Sequence, residues 1–281
     1  MHGRIPVRRG HAWSIYERFL PSVAGGNMDG RQWSDPLISC IMSSLSQLAQ
    51  GRTDGGFDMA SRTESTGKCQ LCNANVSKRQ MARHLATCAY PERKDIAVVA
   101  QIRVDVPGSP FWLDLDIKMN ATMRQLDDFL RDIWLECCGH LSSFNIGRTR
   151  YVVAMSDGFF GPGPDERSMN ARISAALPPV GSAFAYEYDY GSTTVLRLKV
   201  MAQRHAPSRR DVVRLLARND APTWNCTECD NTAASLCSYC VYEGGAFVCE
   251  EHVDDHKCGD EAMLPVVNSP RMGVCGYTGG A

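Results

Sequence analysis

Cysteines in this chain come as C-x-x-C pairs, and histidines and further cysteines follow each pair at the spacing of a metal site. The run KCQLCNANVSKRQMARHLATC holds Cys69, Cys72, His84 and Cys88. A denser run contains Cys226, Cys229, Cys237, Cys240, Cys249, His252, His256 and Cys258. A C-x-x-C pair sets two thiolates on one tight turn, each able to reach the same ion at about 2.3 Å, and two half-sites complete a closed tetrahedral shell. Nine of the thirteen cysteines lie in these two runs, with histidines interleaved, a pattern of ligands rather than of disulfide partners. Zinc is therefore the expected cofactor. Four ligands per ion give three ions, one in the first run and two in the second.

A chain of 281 residues is long enough for two or three units, one of them with a substantial core. The apolar share of 44% and charged share of 22% are those of an ordinary globular protein. A net charge of −1 gives no global pull toward nucleic acid or membrane, so any such attraction has to be local. No run approaches the roughly eighteen apolar residues that cross a bilayer. Arg4, Arg8 and Arg9 precede HAWSIYERFLPSV, which is broken by charge and lacks the apolar centre of a secretory signal. A cytoplasmic location is expected, with no membrane contact and no small-molecule cofactor.

Six segments follow from patterning. Residues 1–66 form an N-terminal extension, largely without periodicity. Within it a helix is expected at 35–50, where Leu37, Ile41, Leu45 and Leu48 recur at helical spacing behind Asp35 and Pro36. Residues 67–94 are the first metal module. Residues 95–206 alone are long and apolar enough for a large core, and their fold class reads as α+β, a central mixed sheet packed against helices and flanked by small zinc-stabilised modules. In this segment Phe111 to Met119 alternates, with Asp114 and Asp116 expected on an exposed polar face. Thr122 and Gln125 form a capping box for a helix carrying Leu126, Phe129, Leu130, Ile133 and Trp134 on one side. Two alternating runs flank Asp189, Tyr190, Gly191 and Ser192, the chemistry of a hairpin turn. Residues 207–220 read as a basic helix with Arg209, Arg210, Arg214 and Arg218 solvated. Residues 221–265 are the second metal module and 266–281 a tail.

The first run, C-x2-C-x11-H-x3-C, is close to the C2H2 zinc-finger pattern, in which a hairpin gives two thiolates and a helix gives the other ligands. Ser77 is the expected helix cap. A finger docked in a groove directs Ser77, Gln80 and Arg83 at bases and Lys78 and Arg79 at phosphates. From Lys68 to Lys94 there are six Lys and Arg against one Glu, so DNA or RNA is the expected partner of Lys78, Arg79, Gln80 and Arg83. The finger is expected to be separable, the remainder folding without residues 1–94. The second metal module has the opposite sign, with nine Asp and Glu against one Lys between Ala221 and Leu264. Phosphate repels such a surface, so its expected partner is a protein.

Three motifs carry a family resemblance: the helix TMRQLDDFLRDIWL, the segment HLSSFNIG, and YEYDYG at Tyr186 to Gly191. In this order they resemble the Ri-plasmid open-reading-frame-three-like family, also labelled insertion-element passenger TnpR-like proteins. The resemblance implies an α+β fold of prokaryotic, mobile-element-associated type and no particular reaction. Many members have a second histidine where this chain has Ser142, and a YDFGD-x-W motif where it has Ser192 and Thr194. The ligand order of the second run resembles a B-box. That resemblance implies a cross-brace, with Cys226, Cys229, Cys249 and His252 on one ion and Cys237, Cys240, His256 and Cys258 on the other. Asp254, Asp255 and Cys275 are alternatives for the last place.

Catalytic readings rest on fewer residues. Asp114, Asp116, His140 and Asp189 are candidates for a metal-dependent nuclease or hydrolase, provided that they converge in one cleft. Cys137, Cys138 and His140 invite a thiol nucleophile, but a helix C-terminus raises a thiol pKa. Both zinc runs look saturated, whereas a catalytic zinc keeps an open position. The sequence thus favours a non-enzymatic zinc-binding interaction protein.

Overall fold

The alternating run WLDLDIK pairs antiparallel with the longer IAVVAQIRVD across a short turn, and the central sheet extends from that pair. The computed structural model of the chain describes residues 65–88, 90, 94–153, 163–242 and 246–280, all within the unit Asp58–Ala281. The extension up to residue 64, with the helix expected at 35–50, lies outside the described residues. In chain order the large sheet is built from β1 (Thr66–Cys69), β2 (Asn75–Ser77), β3 (Ile96–Asp105), β4 (Trp112–Lys118), β5 (Ser142–Ile146), β6 (Thr149–Val152), β7 (Glu166–Ser168), β8 (Ala183–Tyr188), β9 (Thr194–Pro207) and β10 (Val213–Asn219). A small sheet follows from β11 (Ser235–Cys237), β12 (Phe247–Val248) and β13 (Met263–Pro265). The helices are α1 (Lys78–Thr87), α2 (Met123–Leu130) and α3 (Ile173–Ala176). The large sheet runs β2-β1-β10-β4-β3-β9-β8-β5-β6-β7 and is mixed, since β6 and β7 pair parallel while the other neighbours are antiparallel. The class is α+β.

One face of the sheet holds the main core. Leu113, Leu115 and Ile117 of β4, Ile102 and Val104 of β3 and Leu196 and Leu198 of β9 are fully buried there with Leu126, Leu130 and Trp134. Each such aliphatic side chain contributes about 1.5–3 kcal/mol on leaving water. Helix α2 starts on the expected capping box: Thr122 accepts from the Gln125 amide, and Gln125 accepts from the Thr122 amide. After Leu130 the backbone widens into a π-helical turn, Arg131–Leu135, which buries Trp134 and Leu135. Beneath it Asp127, fully buried, accepts from Ser142 Oγ at 2.6 Å, Tyr186 Oη at 2.7 Å and Arg131 Nε at 2.9 Å. A buried carboxylate is tolerable because these three donors replace its water.

The opposite face differs from the sequence expectation. Asp114 and Asp116 do not lie on an exposed polar face; both are buried, beneath Arg103 and Arg204, which also donate to the Lys78 and Leu85 carbonyls of α1. Arg103 grips Asp114 with Nε at 3.1 Å and Nη2 at 2.6 Å, while Arg204 and the Tyr90 hydroxyl donate to the two oxygens of Asp116. Alternation identifies the two faces of a strand, but it cannot say that a second module will cover the polar one. At the end of β3, Asp105 is gripped by Arg197 at 2.8 Å and Lys78 at 3.1 Å. Burial pushes its carboxyl up, yet these two cations outweigh it and hold the group below the ordinary carboxylate range.

The basic helix expected at 207–220 is instead strand β10, inserted between β1 and β4. Its pattern of Val212, Val213, Leu215 and Leu216 mimics helical spacing because both faces are covered and a register shift interrupts the alternation between Leu215 and Ala217. Val213 and Leu215 pack on the main core, Leu216 and Ala217 on the finger side. Its arginines are not simply solvated. Arg214 lies over the Tyr90 ring at 5.0 Å, and Arg218 donates to the carbonyl of Asn268 in the tail.

Candidate metal centres

Local turns bring the ligands of the first run together. Cys69 ends β1, and the amides of Cys69 and Asn73 close the turn onto Ala74 and Cys69 carbonyls at 2.9 and 2.8 Å. Asn73 takes a positive φ of 62°, which asparagine tolerates well. Helix α1, capped by Ser77 accepting from the Gln80 amide, supplies His84 and then Cys88 at its C-cap. Cys69 and Cys88 Sγ stand 4.0 Å apart, and Cys72 Sγ is 3.3 Å from His84 Nε2.

In the C-terminal module the ligands gather as first pair with third and second pair with fourth. Cys226, Cys229, Cys249 and His252 form one group; Cys237, Cys240, His256 and Cys258 form another. Cys237 ends β11, Cys249 follows β12, and short 3-10 turns carry Cys240 and His252. In the first group Cys229 and Cys249 Sγ are 3.7 Å apart, and His252 Nδ1 lies 3.3 to 3.6 Å from the three sulfurs. In the second, Cys240 Sγ is 3.5 Å from His256 Nε2 and 3.6 Å from Cys258 Sγ. Cys258 thus takes the last place, and Asp254 and Asp255 stay outside the group.

These distances fit zinc. Tetrahedral bonds of about 2.3 Å to sulfur and 2.0–2.1 Å to nitrogen imply edges of about 3.8 Å between sulfurs and 3.6 Å between sulfur and nitrogen. Crowded thiols cannot all ionise without a cation among them. Burial, then the neighbours Cys72 and Cys69, push Cys88 up to about 12. In Cys226 burial works the same way but is outweighed by the backbone N–H groups of Cys249, Glu228 and Cys229, which bring it down to about 6. A divalent ion removes the conflict by deprotonating a coordinating thiol outright.

A fourth group escaped sequence reasoning. Cys137, Cys138 and His140 meet Cys275, which lies here and not in the C-terminal module. Cys138 and Cys275 are 137 residues apart, so no local spacing announces them. The available signal was the surplus of cysteines outside the two runs. The rise in thiol pKa expected at the helix end does not hold for Cys137. Burial opposes ionisation of Cys137, but Arg271, Tyr188 and Cys138 outweigh it and lower its pKa, while hydrogen bonding to Cys275 heads the causes that push Cys138 up to about 12.

The candidate hydrolase residues do not converge. Both oxygens of Asp114 and both of Asp116 are taken by Arg103, Arg204 and Tyr90, whereas His140 Nδ1 faces Asp189 Oδ1 at 3.5 Å among the thiols. The finger also departs from its expected independence. Strand β1 pairs with β10, and Cys69, Met81 and Leu85 share one buried cluster with Trp112, Leu216 and Ala217. Gly67 is pressed so close that a Cβ there would meet the Arg218 carbonyl at 2.3 Å and the Trp112 ring at 2.6 Å. Removing residues 1–94 would uncover Trp112 and leave β10 as a bare edge, so the remainder is not expected to stand unchanged. Of the residues read as facing nucleic acid, Arg79, Gln80 and Arg83 are exposed on α1, while Lys78 is half-buried against Asp105.

The model of the family described as plasmid pRiA4b ORF-3-like protein matches residues 97–236. Through this stretch the chain belongs to the pRiA4b ORF-3-like family. The matched part runs from β3 through β10 to β11, so the family domain includes the strand that the sequence pattern disguised as a helix. Ser142 and Thr194, which stand where many family members differ, both sit in polar networks: Ser142 on Asp127, Thr194 on Arg271. Among solved structures, a protein of unknown function, MM3350, from Methanosarcina mazei Go1 is similar at 17% identity and a TM-score of 0.35, covering 44% of this chain and 70% of that one. No curated protein matches the chain. Among the described residues no helix is long and apolar enough to cross a membrane.

Proposed function

We propose that this pRiA4b ORF-3-like protein is a non-enzymatic zinc-stabilised interaction protein. The first run and the two C-terminal groups hold three structural zinc ions in a reducing cytoplasm, α1 contacts nucleic acid, and the acidic C-terminal module contacts a protein. The observation that carries this reading is the composition of the groups. Each is three cysteines and one histidine, a saturated shell with no place for substrate.

Support for the two contacts comes from what each module leaves exposed. Helix α1 buries Met81 and Leu85 and presents Arg79, Gln80 and Arg83 outward. On the C-terminal module Tyr239 stands 71% exposed in the turn between Cys237 and Cys240, an aromatic anchor on an acidic surface. The test is salt-dependent retention of the full chain on double-stranded DNA. The double substitution Arg79→Gln and Arg83→Gln should lower the slope of log affinity against log salt by about one per lost phosphate contact. An unchanged slope would rule out α1 as the contact.

A further inference from the structure

Cys137 and Cys138 follow the π-helical turn, His140 follows them, and Cys275 arrives from the C-terminal tail. Their ligand atoms all lie within 4.8 Å of one another, as in the other three groups, and the composition is again three cysteines and one histidine. Cys137 and Cys138 Sγ are 3.7 Å apart, Cys138 and Cys275 Sγ 3.6 Å. His140 Nε2 lies 3.2 Å from Cys275 Sγ and 2.8 Å from Cys138 Sγ. The two sulfur–sulfur edges match the roughly 3.8 Å of a tetrahedral zinc shell, while His140 stands inside the roughly 3.6 Å sulfur–nitrogen edge and has to draw back from Cys138 to share an ion. Cys138 and Cys275 are both exposed, so burial of apolar surface does not account for their meeting.

The surroundings are those of a ligand set. His140 turns its other nitrogen, Nδ1, toward Asp189 Oδ1 at 3.5 Å, the arrangement by which a carboxylate aims an imidazole at an ion. Zinc with three thiolates leaves one net negative charge. The fully buried guanidinium of Arg271, held by Asp189 at 2.6 Å, stands 3.7 Å from Cys137 Sγ and turns its positive end toward that charge.

We infer that Cys137, Cys138, His140 and Cys275 bind a fourth zinc ion, which ties the C-terminal tail to the central domain. The inference rests on the reading that the Cys3His groups of this chain take zinc. It differs from the other three sites in joining segments remote in sequence, so its ion closes the fold instead of shaping a local turn.

The experiment is native mass spectrometry of the full chain, prepared with zinc under reducing conditions, beside the variants Cys275→Ala and Cys138→Ala. Four ions are expected in the natural chain and three in each variant. Tyr277, buried in the natural chain, should become open to chymotrypsin in both variants. Three ions in the natural chain and the variants alike would overturn this site while leaving the three-ion reading in place. Four ions retained by both variants would also overturn it, and a folded chain free of metal would overturn both readings.

Discussion

Replacing Cys249 with serine is expected to release the ion held with Cys226, Cys229 and His252 and to unfold residues 221–265 while the large sheet stays intact. The module has only a small core of its own. Its buried cluster is Leu236, Cys237, Cys240, Ala246 and Ala262, edged by the partly buried Val241, Phe247, Met263, Val266 and Met272. Such a cluster cannot offset the ordering of the chain around it, at about 1–2 kcal/mol per residue. A structural zinc contributes about 10–16 kcal/mol in small modules, so losing one removes the main stabilising term. The large sheet has its own core around Leu113, Leu115 and Trp134 and does not depend on this ion. Hydrogen exchange resolved by segment checks the expectation: protection should vanish from 235–265 and persist in β3 and β4. Persistent protection of β11 in the variant would mean that packing alone holds the module.

Arg271→Met should cost about 3–5 kcal/mol, because it breaks a buried ion pair from one side. Arg271 is fully buried in the tail and reaches across to the β8–β9 hairpin. Its Nη2 meets Asp189 Oδ2 at 2.6 Å, its Nη1 donates to the Ser192 carbonyl at 2.6 Å and to Thr194 Oγ1 at 3.2 Å, and its plane lies 5.1 Å from the centre of the Tyr188 ring. Methionine fills part of the space but leaves a carboxylate and a carbonyl without these donors. Arg271→Lys keeps the charge and loses the fork, so an intermediate loss is expected. Urea unfolding of the three proteins measures the series. A loss below about 1 kcal/mol for the methionine variant would show that water replaces the guanidinium.

What could be read from the sequence was what short segments decide by themselves. Cys69 and Cys72 share one turn, His84 and Cys88 one helical face, and Thr122 with Gln125 one helix start, so spacing suffices. The hairpin of β8 and β9 is similarly local, with Asp189 at a positive φ of 65° in its turn. Contacts between remote segments were not legible. Strand β10 hid because it is covered on both sides and bulged, which blurs a period of two into something helix-like. Asp114 and Asp116 looked solvent-facing because the arginines and the helix that cover them belong to other segments. The docking of the tail depends on Arg271 finding Asp189 and on Ser269 finding the Trp134 carbonyl, pairs that no local pattern encodes.

The central claim is that zinc serves as a structural element, closed in by three sulfurs and one imidazole nitrogen at each site. X-ray absorption at the zinc edge of the full chain tests it most directly, since every Cys3His group predicts the same shell whatever the number of ions. The expected result is three sulfurs at about 2.3 Å and one nitrogen at about 2.0–2.1 Å per zinc. A shell rich in oxygen, or a folded protein without zinc whose cysteines are joined as disulfides, would contradict it.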